Sequence, residues 1–190
     1  MADLTSQIKV KRALGIPAAV TMHDDYIDTL IEVADQACLS YCGVAAFTQT
    51  SVTLEGHDIE LHNQTEVVLR NFPVQSVSAV VQSGSTMSTD NYYLDQNTGA
   101  VRLIDGGSAF EQGAQTVKVS YTYGFNTIPH DLSHAATIIA VSFFNRTRHA
   151  GMRNEVAGGY SYRVENSGVA AAAKPLLARY VRVFPRDSQP

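Results

Sequence analysis

The sequence predicts an α+β protein: a small bundle of about four helices, with an antiparallel β-rich block inserted between the second and the third. Three observations carry this. Apolar residues recur at helical spacing in the first and last stretches and again over 124–148. Strict alternation replaces that period from residue 47 to residue 124. Turn-forming clusters punctuate the same middle stretch. The expected division is 1–46 with 126–190 for the helical core and 47–125 for the inserted β-rich subdomain.

The first helix is expected over 3–14. Asp3 or Thr5 can cap it, Leu4, Ile8 and Leu14 face inward, and Gly15-Ile16-Pro17 ends it. The second spans about 24–42. Tyr26, Ile27, Leu30, Val33, Ala34, Ala37 and Tyr41 make its apolar face, and Asp25, Asp28, Glu32 and Asp35 its opposite one. That acidic row is either a solvated face or a contact for a basic partner surface. Cys38 and Cys42 fall on or near the apolar side and read as small core residues.

The middle block carries the runs SVTLE, HDIELH, EVVLR, SVSAVVQ, YYLD, AVRLI and TVKVSYTYG. Expected turns are Glu55-Gly56-His57, Asn71-Phe72-Pro73, Ser83-Gly84-Ser85, Asn97-Thr98-Gly99 and Asp105-Gly106-Gly107. The runs around Gln96-Asn97-Thr98-Gly99 predict a hairpin.

The third helix is the centre of the chain. Pro129 suits its first turn, and Asp131 puts negative charge near the positive end of its dipole. Leu132, Ala135, Ala136, Ile139, Ala140 and Phe143 share one face, while Ile138, Val141 and Phe144 lie off it. A helix apolar on most sides is buried on most sides. It is therefore expected to pack on its own domain and on something more, such as a second copy. His130, His134, Val141 and Asn145 share its back, a mixed face that suits a subunit contact.

Beyond it, 152–159 reads as a loop and 160–164 as a short strand or extended arm. Pro175 opens a last helix on which Leu176, Leu177, Tyr180, Val181 and Phe184 point inward and Arg179, Arg182 and Arg186 cluster elsewhere. Pro185 stops it.

Composition narrows the function. With 190 residues and 45% hydrophobic content, a real core is available. No apolar run approaches the roughly 20 residues of a transmembrane helix, and the N-terminus lacks the apolar core of a signal peptide. The two cysteines stand one turn apart, too close to build a disulfide framework, which points to a reducing place of synthesis. The net charge of −4 argues against a protein that clings to nucleic acid. Yet residues 146–190 hold eight of the 14 Lys/Arg and only three of the 18 Asp/Glu. Chance segregation explains this, and so does head-to-tail docking of an acidic part on a basic part.

No chemistry-bearing motif is complete. His130 and His134 have the i, i+4 spacing of a metal pair, but no H-E-x-x-H glutamate follows and no third ligand is evident. No nucleophile elbow, P-loop or dinucleotide fingerprint occurs. The expectation is no enzyme and no cofactor. Arg163, Arg179 and Arg182 with Tyr160, Tyr162 and Tyr180 give an alternative, a nucleic-acid-binding module in the basic C-terminal region.

The ordered combination of DDYIDTLIEVADQACLSYCG, the β-rich block, VKVSYTYGFNTIPHDLSHAATIIAVSFFNRTR, a Gly-rich loop and KPLLARYVRVF resembles the tailed-phage head–tail connector (adaptor) family in its longer form. Its most specific parts are 121–136 and the closing Leu176-Leu177-x-x-Tyr180. The resemblance implies a non-enzymatic virion protein at the head–tail interface, made in the host bacterial cytoplasm. It implies a homo-oligomeric ring of typically twelve copies beneath the portal protein. That ring extends the DNA channel, passes DNA without sequence-specific binding, and offers a platform to the next neck or tail-completion protein. No membrane is involved. The segment 180–190, with Phe184, Pro185 and Arg186, is the one implied to reach the portal. For the subunit boundary the expected residues are Asp28, Glu32, Asp35, His130, His134, Val141, Arg179 and Arg182, with 24–42 of one copy facing 170–186 of the next. A docking role is expected for 151–168.

Overall fold

The computed structural model describes residues 4–104, 109–148, 154–157, 160–163 and 169–181. Among the described residues there are four helices, α1 (Gln7–Leu14), α2 (Asp24–Cys42), α3 (His130–Arg148) and α4 (Lys174–Leu177), and in chain order seven strands fall between α2 and α3. The chain separates into two compact units, Met1–Val44 with Ile128–Pro190, and Ala45–Thr127.

In the helical unit, α3 packs against α1, α2 and α4. Leu132, Ala135, Ala136, Ile139 and Ala140 are fully buried on it, opposite Ile27, Leu30, Ile31, Ala34, Cys38 and Cys42 of α2. Phe144, which lies off that face, is buried, whereas Phe143, expected on it, is only half-buried. The reason is local: the rings of His23 and Tyr26 pack on Phe144, with centroids 5.7 and 5.9 Å away.

Two polar contacts hold the α1 end of the chain to α3. The Thr5 and Thr137 hydroxyls meet at 2.7 Å, and Lys9 Nζ donates to Ser133 Oγ at 2.8 Å. The Thr5 hydroxyl is thereby turned to α3. The helix starts later than expected, at Gln7, and its N-cap Ser6 makes no side-chain cap. Asp3 lies outside the described residues. Ile8 is 61% exposed, so Val10, not Ile8, supplies the inward contact. Lys11 is buried along its stem; its ammonium donates to Val20 O at 2.8 Å and pairs with Asp24, which fastens the linker to the start of α2.

The last helix is shorter than its apolar pattern suggested. It is α-helical only over Lys174–Leu177 and tightens to a 3₁₀ turn at Ala178–Tyr180. Leu177 is buried, whereas Leu176, Tyr180 and Val181 are half-buried. Phe184, Pro185, Arg182 and Arg186 lie outside the described residues. The expected loop over 152–159 is corrected in part: β8 (Asn154–Ala157) pairs antiparallel with β9 (Tyr160–Arg163).

The β unit is a sandwich of two antiparallel sheets. One has the order β1-β7-β3-β4, the other β2-β6-β5. The strands are β1 (Thr50–Ile59), β2 (Glu66–Val68), β3 (Val74–Gln82), β4 (Ser85–Thr86), β5 (Tyr92–Asp95), β6 (Ala100–Leu103) and β7 (Gly113–Tyr123). One apolar core joins the sheets, with Ile59, Leu69, Val80, Val101, Val117, Val119 and Tyr121 at its centre. The hairpin at Asn97-Thr98-Gly99 forms as expected, and so does the turn at Ser83-Gly84. Glu55-Gly56-His57 is no turn. It lies inside β1, beyond a register shift between Val52 and Glu55. The glycine serves close approach instead: a Cβ on Gly56 would stand 3.2 Å from the Gln115 side chain. Asp105-Gly106-Gly107 lies outside the described residues. Among the described residues no helix is long and apolar enough to cross a membrane.

Candidate assembly surfaces

The back of α3 is where the helical unit stays open. His130 and His134 are exposed, and Ile138, Val141 and Asn145 are half-buried along the same stripe. The sequence-predicted residues His130, His134 and Val141 therefore share one surface. The opposite faces are closed by α1, α2 and α4. The central helix is thus covered by its own chain on most sides and left with a mixed stripe.

On α2, Asp25, Asp28 and Glu32 are solvent-facing. Gln7 Nε2 donates to Asp28 Oδ1 at 3.0 Å. Asp35 does not belong to that row. It is only 6% exposed, and its carboxylate accepts the Leu4 N–H at 3.0 Å. The chain entering α1 needs an acceptor there, and Asp35 supplies it. Next to it the Cys38 thiol is pushed up to about 12 by burial, then by the Asp35 and Cys42 charges; burial raises Cys42 to about 11. Both thiols are free and buried, as expected of core residues. Tyr26, Val33 and Tyr41, expected inward, are 36 to 44% exposed and flank the acidic row.

Arg179 does not stand free to meet those acids. Its guanidinium lies 2.8 Å from Asp131 Oδ2, and the Tyr180 hydroxyl donates to Oδ1 of the same carboxylate at 2.6 Å. These bonds hold the Asp131 carboxyl below its ordinary range, Tyr180 first and Arg179 after. Asp131 was legible as a dipole partner; its second role as anchor of the C-terminal segment was not. Of the arginine and tyrosine residues that suggested a nucleic-acid patch, the two with described side chains, Arg179 and Tyr180, are both turned to Asp131.

The β unit holds a polar cluster that the sequence concealed. Glu55 meets His57 Nε2 at 3.0 Å, with both side chains under 10% exposed. Tyr121 donates its hydroxyl to Glu55 at 2.6 Å and accepts from Asn71 Nδ2 at 2.9 Å. The Arg70 N–H donates to Glu55 at 3.0 Å. Burial opposes the charged carboxylate, yet the bonds from His57, Tyr121 and Arg70 outweigh it and bring its pKa down to about 2. Glutamate and histidine two apart on one strand face were the available signal. The cluster joins β1 and β7 to the chain leaving β2. Among the described residues no three His, Cys, Asp or Glu side chains gather to hold a metal, and the pair His130 and His134 stays without a third ligand.

A family model described as head completion protein matches residues 3–183. No curated protein matches the chain. Solved structures share the fold, among them the following three. A chain from the neck of an empty GTA particle computed with C6 symmetry aligns with a TM-score of 0.59 and 16% identity, over 96% of this chain and 92% of that one. A chain from the virion of a native gene transfer agent particle gives 0.56 and 16%, over 100% and 98%. A chain from the neck of a native GTA particle computed with C12 symmetry gives 0.52 and 15%, over 100% and 98%.

Proposed function

The chain belongs to the head completion protein family, and from that premise we propose that it is a structural protein of the virion neck, seated where head meets tail. It is made in the host bacterial cytoplasm, and its copies close into a ring beneath the portal protein. The ring extends the DNA channel and carries the docking platform for the next neck or tail-completion protein. DNA passes it without sequence-specific recognition, in keeping with a net charge of −4. The work is mechanical and asks for no catalytic group. The necks among the similar structures were computed with C6 and C12 symmetry, which supports a closed ring, and twelve copies is the number proposed for it.

The observation that carries the reading is the stripe on α3. The most buried helix of its unit still presents Ile138 and Val141 half-covered beside two exposed imidazoles. Such a mixed strip suits a protein neighbour better than solvent. His130, His134 and Val141, with Asp28 and Glu32 on α2, are assigned to the subunit boundary. Arg182 is assigned to the same boundary, and Phe184, Pro185 and Arg186 to the portal contact. Asp35 leaves the boundary because it is buried, and Arg179 enters it only if Asp131 releases it.

Electron microscopy of the purified chain added to portal-bearing capsids tests the reading. Added ring density on the portal axis is expected. Capsids that stay bare at saturating protein overturn it.

A further inference from the structure

The β unit presents an open groove lined by Leu54, Val81, Ser83, Gln115 and Lys118. Among the described residues, the three non-glycine residues with left-handed φ are Leu54 at 53°, Ser83 at 48° and Gln115 at 51°, and all three line this groove. L-residues adopt that backbone uncommonly; Ser83 does so in the turn between β3 and β4, and outside turns such residues gather at functional surfaces. The Leu54 N–H donates to Ser120 Oγ at 3.0 Å, Ser83 N–H to Thr116 O at 2.9 Å, and Gln115 N–H to Asp58 Oδ1 at 2.7 Å. The outcome is an apolar side chain, Leu54, held 49% exposed. Two exposed carboxylates stand on the rim, Asp58 and Glu111, the latter accepting from the Ser83 hydroxyl.

Charge indicates the occupant. Residues 45–127 hold three Lys/Arg against eight Asp/Glu, whereas residues 146–163 hold four arginines against one glutamate. That basic stretch contains β8 and β9, which, among the described residues, join no third strand. A hairpin alone is marginally stable at best and gains from a surface to lie on. It also carries Val156, Tyr160 and Tyr162, apolar and aromatic residues suited to an apolar groove.

We propose that the arginine-flanked hairpin of one copy seats in the β-unit groove of the next copy. This rests on the ring reading and deepens it, since hairpin and groove are different patches. A contact between unlike patches repeats head to tail and closes when the rotation allows.

Cysteine cross-linking tests the contact. A Leu54→Cys chain and a Tyr160→Cys chain are mixed, assembled on portal-bearing capsids, oxidised and run without reductant. Cys38 and Cys42 are buried and stay silent. A dimer band at least tenfold stronger in the mixture than in either variant alone is expected. The absence of that excess while ring density is present overturns the contact and leaves the ring reading standing. Capsids without ring density overturn both. As a second readout, Asp58→Lys with Glu111→Lys, both at exposed positions, should lower ring occupancy about tenfold, and Arg153→Glu with Arg163→Glu should restore part of it. Unchanged occupancy in the lysine variant counts against the pairing.

Discussion

The Tyr180 hydroxyl donates to the Asp131 carboxylate at 2.6 Å, which fastens the end of the described chain to the first turn of the central helix. The same carboxylate accepts the Leu132 N–H at 2.9 Å and pairs with Arg179. One side chain thus begins α3 and holds the segment from which residues 182–190 continue. Burial, and then Asp131, push the Tyr180 hydroxyl up to about 12, so it remains a donor at any physiological pH.

Asp131→Ala should therefore free the 3₁₀ turn while leaving the β unit untouched. The expected loss is about 1–3 kcal/mol, the usual effect of removing a charged acceptor from its donors. Hydrogen exchange should speed up at Leu177 and Val181 and not in β7. The folded-state pKa of Asp131 is depressed, so its contribution is present above the unfolded value near 3.9 and is lost as pH falls through the folded one. Wild-type exchange at Val181 should approach that of the variant in acid. Arg179→Ala should do little, because its side chain is 70% exposed.

Glu55 gives the clearer pH dependence. Its pKa of about 2 lies below the unfolded value of roughly 4.3, so its stabilisation is complete above that value and is lost between about pH 4.5 and pH 2. The shift corresponds to about 2–3 kcal/mol at neutral pH. Glu55→Gln should be that much less stable at pH 7. Urea unfolding followed at pH 7, 4 and 2.5 should show the two proteins converging in acid. A gap that stays constant would mean that the cluster acts through shape alone.

Gly124 explains part of a motif that was recognisable before its cause was. Its φ is 92°, and a Cβ there would stand 2.3 Å from the Thr48 carbonyl oxygen. The next residue, Phe125, donates its N–H to Phe47 O at 2.7 Å, so the backbone cannot simply withdraw. Gly124→Ala meets both a left-handed φ and a backbone clash and should cost more than about 1 kcal/mol. A drop of several degrees in Tm is expected. An unchanged Tm would show that the strand ends separate easily.

The parts read correctly from sequence are those where one period runs unbroken. α2 and α3 announce themselves by apolar spacing, and the hairpin between Tyr92 and Leu103 by its turn residues. The errors come from partners far away in the chain. Asp35 fits a polar row by angle, yet it is buried because Leu4, 31 residues earlier, brings an N–H to it. Gly56 reads as a turn until the Gln115 side chain is seen crossing it. Ile8 reads as inward because α1 is short enough for more than one face to look apolar. The same holds for the assembly surfaces. The α3 stripe was visible by angle, whereas the groove depends on three backbone conformations that no residue type announces.

The two sides of α3 should respond to mutation in opposite ways, and this separates folding from assembly. Ile139 has no exposure and lies against its own unit, so Ile139→Ala should cost about 2–5 kcal/mol in the free chain. Val141 is half-buried on the open stripe, so Val141→Ala should change the free chain far less. Assembly reverses the order. Val141→Asp puts a charge into a stripe assigned to a neighbour, and desolvating an unpaired charge is costly. Its Tm in the free state should stay within a few degrees of wild type, while ring occupancy on portal-bearing capsids should fall at least tenfold. His130→Ala with His134→Ala should lower occupancy more mildly and leave the metal content of the purified protein unchanged. If Val141→Asp assembles like wild type, the stripe faces solvent in the ring and the boundary lies on another surface.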